Sequence, residues 1–345
     1  MRRVLLDKVG WDTPLRCEKL DYDAPLVDDQ VRVQVEACGV CYRDLIDRAG
    51  RLPFIACPIT PGHEAVGRVI EAGPGVTQWA VGDRVGTMHR DSCGECDACL
   101  RGATSHCESA AWVFGLLAHG GYATRLIAPQ RALFAVPDTL PPTHAAIMHC
   151  TFGTAYRNLV TAGRLTAGEK VVITGANGGV GVAAVQIASR LGAEVTAIVR
   201  RDVHADRLKA LGARHVVVAP DGHFHKKAEA RGADLTLDCV GADTFNSSLR
   251  CLKVGGRLAI VGNIREARVE LNLGYVIVRG LTVLSAGGAT PDDMRALFDL
   301  HAESPLDVTI EAELPLEQAE EAQQRVRAGG LEGRIVLTMG AEDGS

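Results

Sequence analysis

Between residues 170 and 262 short apolar runs alternate with helical ones, and this order narrows the fold more than any other feature. The run V-V-I-T (171–174) is followed by Gly-rich sequence and then by a helical pattern over 182–193 that stops near Gly192. E-V-T-A-I-V (194–199), a helix over 205–213, H-V-V-V (215–218), D-L-T-L-D-C-V (234–240) and R-L-A-I-V-G (257–262) continue the series. Strands alternating with helices predict a parallel, doubly wound sheet over about 153–286. The first strand-to-helix turn reads G175-A-N-G-G-V-G181. Glycines there permit a tight turn and let the backbone approach a pyrophosphate at the helix N-terminus. Gly175, Asn177, Gly178, Gly179, Val180 and Gly181 are therefore expected to hold a dinucleotide. At the end of the second strand an NAD site usually offers an acidic residue. This chain offers Arg200 and Arg201, with Asp202 only afterwards. Two guanidiniums suit a 2′-phosphate, so NADP is expected, with NAD as the alternative.

The first third is different. V-R-V-Q-V-E-A (31–37) alternates strictly and predicts a half-buried strand. Residues 62–73 read as a Gly-punctuated strand pair, and 81–86 as a turn entering a short strand. No long helical pattern precedes Pro142, after which 143–160 has helical spacing. The segment 333–339 reads as a final edge strand returning to the first domain, and the polar stretch 221–232 as a surface loop or short helix. At 345 residues two domains are expected. The boundaries are 1–152, 153–286 and a C-terminal return over 287–345.

Four cysteines, Cys93, Cys96, Cys99 and Cys107, fall within fifteen residues of a lobe at about 90–110. Two-residue gaps let neighbouring thiolates converge on one ion, and the longer last gap closes a tetrahedron. Four sulfurs with no open position make a structural zinc site. Cys17, Cys38, Cys57, Cys239 and Cys251 have no metal-like spacing and read as structural thiols. With 37 basic and 42 acidic residues, the net charge of −5 carries no basic block, so neither nucleic acid nor membrane is an expected partner. The N-terminal residues carry charge where a signal peptide needs an apolar core, and no run reaches the ~18 apolar residues of a membrane span. A cytoplasmic location is expected, where eleven cysteines serve as thiols and metal ligands.

Three further motifs, C-G-V-C41-Y-R-D44, P-G-H63-E64 and H-C150-T-F-G-T154, are weak singly. Together with the cysteine lobe and the glycine turn, the chain resembles the zinc-containing medium-chain alcohol dehydrogenases over essentially its whole length. The resemblance implies a GroES-like, β-rich catalytic domain beside the Rossmann cofactor domain. It implies that Cys41, His63 and Cys150 ligate a catalytic zinc, a ligand set for which alcohol dehydrogenase is the standard example. It also implies that Glu64 can approach that zinc and that Asp44 orients the ligand histidine. By the same resemblance Thr154 packs against the nicotinamide. Tyr42, His89 and Trp112 line the cofactor–substrate cleft, and Arg334 contacts the cofactor phosphates. The activity implied is hydride transfer between the nicotinamide and an alcohol, aldehyde or ketone, in a homodimer or homotetramer.

The chain departs from the family where a proton relay usually begins. A Ser or Thr commonly stands two residues after the first catalytic Cys, and here the position is Arg43; a relay histidine is replaced by Ile46. Arginine cannot pass a proton at neutral pH. Its charge is free to bind a carboxylate, a phosphate or a coenzyme A group, or to fold back to the cofactor. A second reading is therefore reduction of a C=C bond conjugated to a carbonyl, where loss of a hydroxyl relay does less damage. A non-catalytic nucleotide-binding relative is a third reading; it predicts decay of the ligand set, yet every matched ligand is present.

Overall fold

The alternating run near residue 31 becomes an eleven-residue strand, Gln30–Val40, in the computed structural model, which describes residues 1–21, 24–52, 54–264 and 267–340. Its inward valines Val31, Val33 and Val35 are all buried. The chain forms two units. One contains Met1–Cys150, Thr290–Arg295 and the residues from Val308 on; the other contains Thr151–Ala289 and Ala296–Asp307.

In the first unit seven strands form one sheet around Gln30–Val40. The path runs Ile310–Pro315, Arg334–Thr338, Gln30–Val40, Glu64–Ala72, Arg84–Thr87, Leu133–Ala135, and Arg125–Pro129 also pairs with Gln30–Val40. One edge of the long strand serves two partners: Gln30–Gln34 pairs with Arg125–Pro129, and Ala37–Val40 with Arg334–Thr338. The segment expected at the sheet edge is thus interior. Arg334–Thr338 lies between Gln30–Val40 and Ile310–Pro315, and the latter is the edge. Its interior place explains why Ile335, Val336 and Leu337 are all fully buried. The expected strand pair over 62–73 is a single strand, Glu64–Ala72, because Gly67 sits where a Cβ would lie 2.0 Å from the Gln34 carbonyl oxygen of its neighbour. Glycine there permits close approach rather than a turn.

In the second unit six strands are all parallel, in the order His215–Val218, Glu194–Val199, Lys170–Ile173, Ala233–Asp238, Leu252–Ile260, Thr282–Leu284. Numbered along the chain this is 3-2-1-4-5-6, the doubly wound topology with its switch point beside Lys170–Ile173. The helix after the glycine turn spans Gly179–Arg190. It also holds a later piece of chain: Gln186 makes two hydrogen bonds with the Asp307 backbone (3.0 and 2.7 Å), and Arg190 donates to Ser304 and Pro305 carbonyls. These bonds are why Ala296–Asp307 groups with this unit rather than with the C-terminal return. The polar stretch 221–232 is two 3₁₀ turns, Phe224–Lys226 and Ala228–Ala230, anchored by buried Phe224 and Ala230. The helical pattern over 143–160 is α-helical at Pro142–Ile147 and widens to π-helix over Met148–Gly153, which carries Cys150. Such widened turns are frequent at functional sites.

Candidate active site and metal centres

The catalytic set forms where the long strand ends. Cys41 is the extended N-cap of the helix Tyr42–Arg48, and its sulfur accepts from the Arg43 backbone N–H (3.4 Å). Unpaired N–H groups at a helix start favour a thiolate. Gly62, at φ +95°, turns the chain so that His63 and then Glu64 open the strand Glu64–Ala72. Gly39 lies opposite Glu64 in register, and a Cβ there would stand 2.0 Å from Glu64 Oε2. The glycine before Cys41 therefore makes room for the carboxylate.

These elements bring one donor atom each of Cys41, His63, Glu64 and Cys150 within 4.8 Å of one another. Cys41 Sγ and Cys150 Sγ are 3.8 Å apart. Two sulfurs of a tetrahedron with Zn–S bonds of about 2.3 Å are separated by about 3.8 Å. His63 Nδ1 donates to Asp44 Oδ1 (3.1 Å), which leaves Nε2 for a metal. The set fits zinc. The lobe fits it equally well: Cys93–Cys99 and Cys96–Cys107 are both 3.9 Å apart, and Cys93–Cys107 3.6 Å. There backbone N–H groups bring Cys96 down to about 6, while burial pushes Cys99 up to about 12.

The electrostatics suit a cation. The Cys150 hydrogen bond holds Cys41 well below the ordinary thiol value and Cys150 well above it, so Cys41 gives up its proton first. Burial raises Glu64 to about 7 against the pull of Arg334. Arg334 donates through Nη2 to both Glu64 carboxylate oxygens (2.8 and 2.7 Å) and to the Val40 carbonyl (3.0 Å). Arg334, expected at the cofactor phosphates, thus also balances the charge of a buried carboxylate through one of its guanidinium nitrogens. His89 meets the His63 ring edge-on at 5.3 Å, and burial keeps it neutral. Its Nε2 is buried with no partner among the described residues, a group that a bound substrate or water would satisfy.

Tyr42 is exposed, and Trp112 packs edge-on to Phe114 and donates its backbone N–H to Asp91. Trp112 lines a cavity of about 590 Å³ with Ile59, Thr60, His119 and Leu126, none of them in the zinc set. Arg43 is bound by Asp47, Nε to Oδ1, at 2.6 Å. Burial raises Asp47 to about 6 despite that partner. A carboxyl raised in the folded state costs stability as pH climbs from its unfolded value of 3.8 to about 6. At ~1.4 kcal/mol per pH unit, the ceiling is about 3 kcal/mol. Asp47→Asn has no such slope, so its urea stability relative to the native chain should improve by up to that amount between pH 4 and 7. A constant difference across that range would show that Asp47 ionises normally.

In the second unit three of the four glycines of the turn at 175–181 take separate roles. Gly175 has φ +57° and forms the tight turn. Gly178 caps the helix with open space before its missing side chain, the nearest atom being Gly175 O at 3.3 Å. Gly181 is packed so closely that a Cβ would lie 2.2 Å from Gly175 O. The first intrahelical bond, Val182 N to Gly178 O (2.8 Å), leaves the N–H groups of Gly179, Val180 and Gly181 ahead of it. This cradle fits a pyrophosphate. Arg200 and Arg201 are exposed just beyond Glu194–Val199, with no ion-pair partner among the described residues. Thr154 is half-buried at the head of the short helix Thr154–Tyr156.

Two residues that matter here escaped the sequence reading. Asp238, fully buried, accepts from Thr174, Thr244 and Ser248 hydroxyls and from the Val240 and Gly241 N–H groups, fixing the turn beside Gly175. Tyr122 donates to Asp44 Oδ2 (3.0 Å). Tyr122 has no local sequence signal, because Asp44 lies 78 positions away; Asp238 reaches Thr174 64 positions back, while its other partners follow within ten residues.

Residues 27–138 match the model of the alcohol dehydrogenase GroES-like domain, and residues 179–303 that of the zinc-binding dehydrogenase. The chain belongs to the zinc-containing medium-chain dehydrogenase/reductase superfamily. It is 31% identical over 311 residues to an acryloyl-coenzyme A reductase of Sulfurisphaera tokodaii, covering 90% of this chain and 92% of the relative. It is 33% identical over 314 residues to an alcohol dehydrogenase of Geobacillus stearothermophilus, covering 89% and 91%. The crystal structure of AibC superposes with a TM-score of 0.91 at 36% identity, covering 99% of this chain and 96% of that one. Membership makes this chain an oxidoreductase of small molecules that uses zinc and a nicotinamide cofactor. The expected GroES-like and Rossmann folds are both present. No helix among the described residues is long and apolar enough to cross a membrane.

Proposed function

We propose that the chain transfers hydride between NADP(H) and an alcohol or its aldehyde or ketone, at the site built by Cys41, His63 and Cys150. The complete donor set, with Asp44 behind buried His63 and Arg334 behind buried Glu64, is the observation that carries this reading. When bound there, zinc supplies a Lewis acid for the substrate oxygen. Asp44 keeps the His63 proton on Nδ1. Glu64, neutralised by Arg334, stands 3.9 Å from His63 Nε2 as a reserve donor. Neutral His89 offers Nε2 to the substrate.

A specific observation favours a second reading, reduction of a conjugated C=C bond in an acyl thioester. Arg43 replaces the relay hydroxyl, its Nη groups have no partner among the described residues, and an acryloyl-coenzyme A reductase is among the relatives. NADPH with cinnamaldehyde separates the two. Cinnamyl alcohol is expected; hydrocinnamaldehyde, or rapid reduction of crotonyl-coenzyme A instead, would move the assignment to the second reading.

NADP is proposed over NAD on the unpaired Arg200 and Arg201. Replacing both by Ala should weaken NADPH binding by about 10- to 100-fold, the worth of one or two charge-assisted hydrogen bonds, and leave NADH binding within about twofold. Equal losses for both cofactors, measured by fluorescence titration, would refute the assignment.

We also propose a homodimer or homotetramer joined through the edge strand Thr282–Leu284. Val283 in that strand and Leu273, Ile277 and Val278 on the neighbouring helix Leu273–Arg279 are exposed, at 41%, 66%, 76% and 82%. Such an apolar cluster marks an association surface. A monomer mass in sedimentation equilibrium would contradict it. All eleven cysteines are free thiols, which suits a reducing compartment such as the cytoplasm.

A further inference from the structure

His63 is held by Asp44, and Asp44 is itself held. Its Oδ2 accepts from the Cys41 backbone N–H (3.0 Å) and from the Tyr122 hydroxyl (3.0 Å), while Oδ1 accepts from His63 Nδ1. Asp44 and Tyr122 are buried, at 4% and 0% exposure. With two donors on Oδ2, only Oδ1 is left to face the imidazole.

The chain goes to some length to place this phenol. Tyr122 N donates to Pro61 O (3.0 Å), Gly121 N to Gly62 O (2.8 Å) and Gly120 N to Thr60 O (2.7 Å), so the segment leading into His63 is clamped to the segment carrying the tyrosine. Val4 N donates to the Tyr122 carbonyl (2.8 Å) on the far side. The ring fills the space beside Gly62: a Cβ on Gly62 would stand 2.4 Å from Tyr122 Cδ1 and 2.9 Å from Cys38 Sγ. A Cβ on Gly121 would meet the same Cys38 sulfur at 2.9 Å. Gly62, Gly121 and the small Cys38 side chain together form a slot for this ring. Burial, then the charge of Asp44, raises the phenol well above its ordinary value, so it remains a donor throughout the physiological range.

We propose that Tyr122 is a positioning residue of the catalytic zinc site, its hydroxyl fixing the Asp44 carboxylate so that Oδ1 orients His63. Packing alone would need the ring and not the hydroxyl. The inference rests on the zinc assignment of Cys41, His63 and Cys150.

Tyr122→Phe keeps the ring and removes the donor. Outer partners of a metal ligand typically contribute 10- to 100-fold in metal affinity. Chelator competition on the holoenzyme should show about tenfold weaker zinc at one of its two sites, and the d–d bands of the cobalt-loaded form should shift. Affinity within twofold and superimposable bands would overturn the proposal. The Asp44→Asn background gives a second test. If the hydroxyl acts through the carboxylate, adding Tyr122→Phe there costs little more; a full additional loss would assign the effect to packing. If Cys41→Ser retains both zincs, the zinc assignment itself fails. If Cys41→Ser loses one zinc while Tyr122→Phe changes nothing, only the role of Tyr122 fails.

Discussion

Cys41→Ser should retain one zinc per chain and turn over at least about a thousandfold more slowly than the native protein. The lost zinc belongs to the set in which Cys41 Sγ lies 3.8 Å from Cys150 Sγ. Serine offers a hydroxyl that stays protonated where the thiol is already inclined to ionise. Lewis-acid stabilisation is worth several kcal/mol, and about 4 kcal/mol is a thousandfold in rate. The second zinc should remain, because Cys93, Cys96, Cys99 and Cys107 form their own closed set of four sulfurs. Metal analysis, with NADPH binding as a control for the folded cofactor unit, reads the outcome. Two zincs in the variant, or turnover within tenfold, would remove Cys41 from the catalytic set.

The second large effect separates two glycines three residues apart. Gly181→Ala forces a Cβ to 2.2 Å from Gly175 O and 2.7 Å from Ala176 Cα, both backbone atoms that cannot step aside. Overpacking of this kind costs about 1–3 kcal/mol, so both the melting temperature and NADPH affinity should fall, the latter by 10- to 100-fold. Gly178→Ala meets only Gly175 O, at 3.3 Å, in a conformation open to any residue, at φ −83°. Its methyl group projects at the helix N-terminus where the pyrophosphate would lie. NADPH affinity should therefore fall while the melting temperature stays within about 2 °C, since no packed atom is displaced. Equal melting losses in both variants would mean that the turn serves packing only.

Much of this was legible in the sequence, for identifiable reasons. Cysteine spacing reports a closed lobe directly, because its four ligands lie within fifteen residues. The strand–glycine–helix turn is local as well, and the helix Gly179–Arg190 begins where the glycine run predicts. The parallel sheet followed from continuous apolar runs that only strands buried on both faces show. Residues 333–339 misled because an edge and an interior strand of five residues look alike. What decides is the partner Ile310–Pro315, whose E-A-E-L sequence shows water on one face. Arg334 is placed at the phosphates by resemblance alone, and its pairing with Glu64, 270 positions away, leaves no mark in the sequence. Tyr122 was missed for the same reason: the side chain it serves is 78 positions earlier. Bonds that bridge such distances leave no periodic trace.

The central claim is hydride transfer from a nicotinamide at the Cys41–His63–Cys150 site, and isotopic labelling tests it most directly. The zinc-loaded protein, supplied with NADPH deuterated at C4 on the transferred face and with cinnamaldehyde, should yield cinnamyl alcohol carrying one deuterium on C1. Cys41→Ser should yield none. Deuterium on C3 would establish conjugate reduction at the same site, whereas unlabelled product from the native protein, or labelled product at the native rate from Cys41→Ser, would contradict the account.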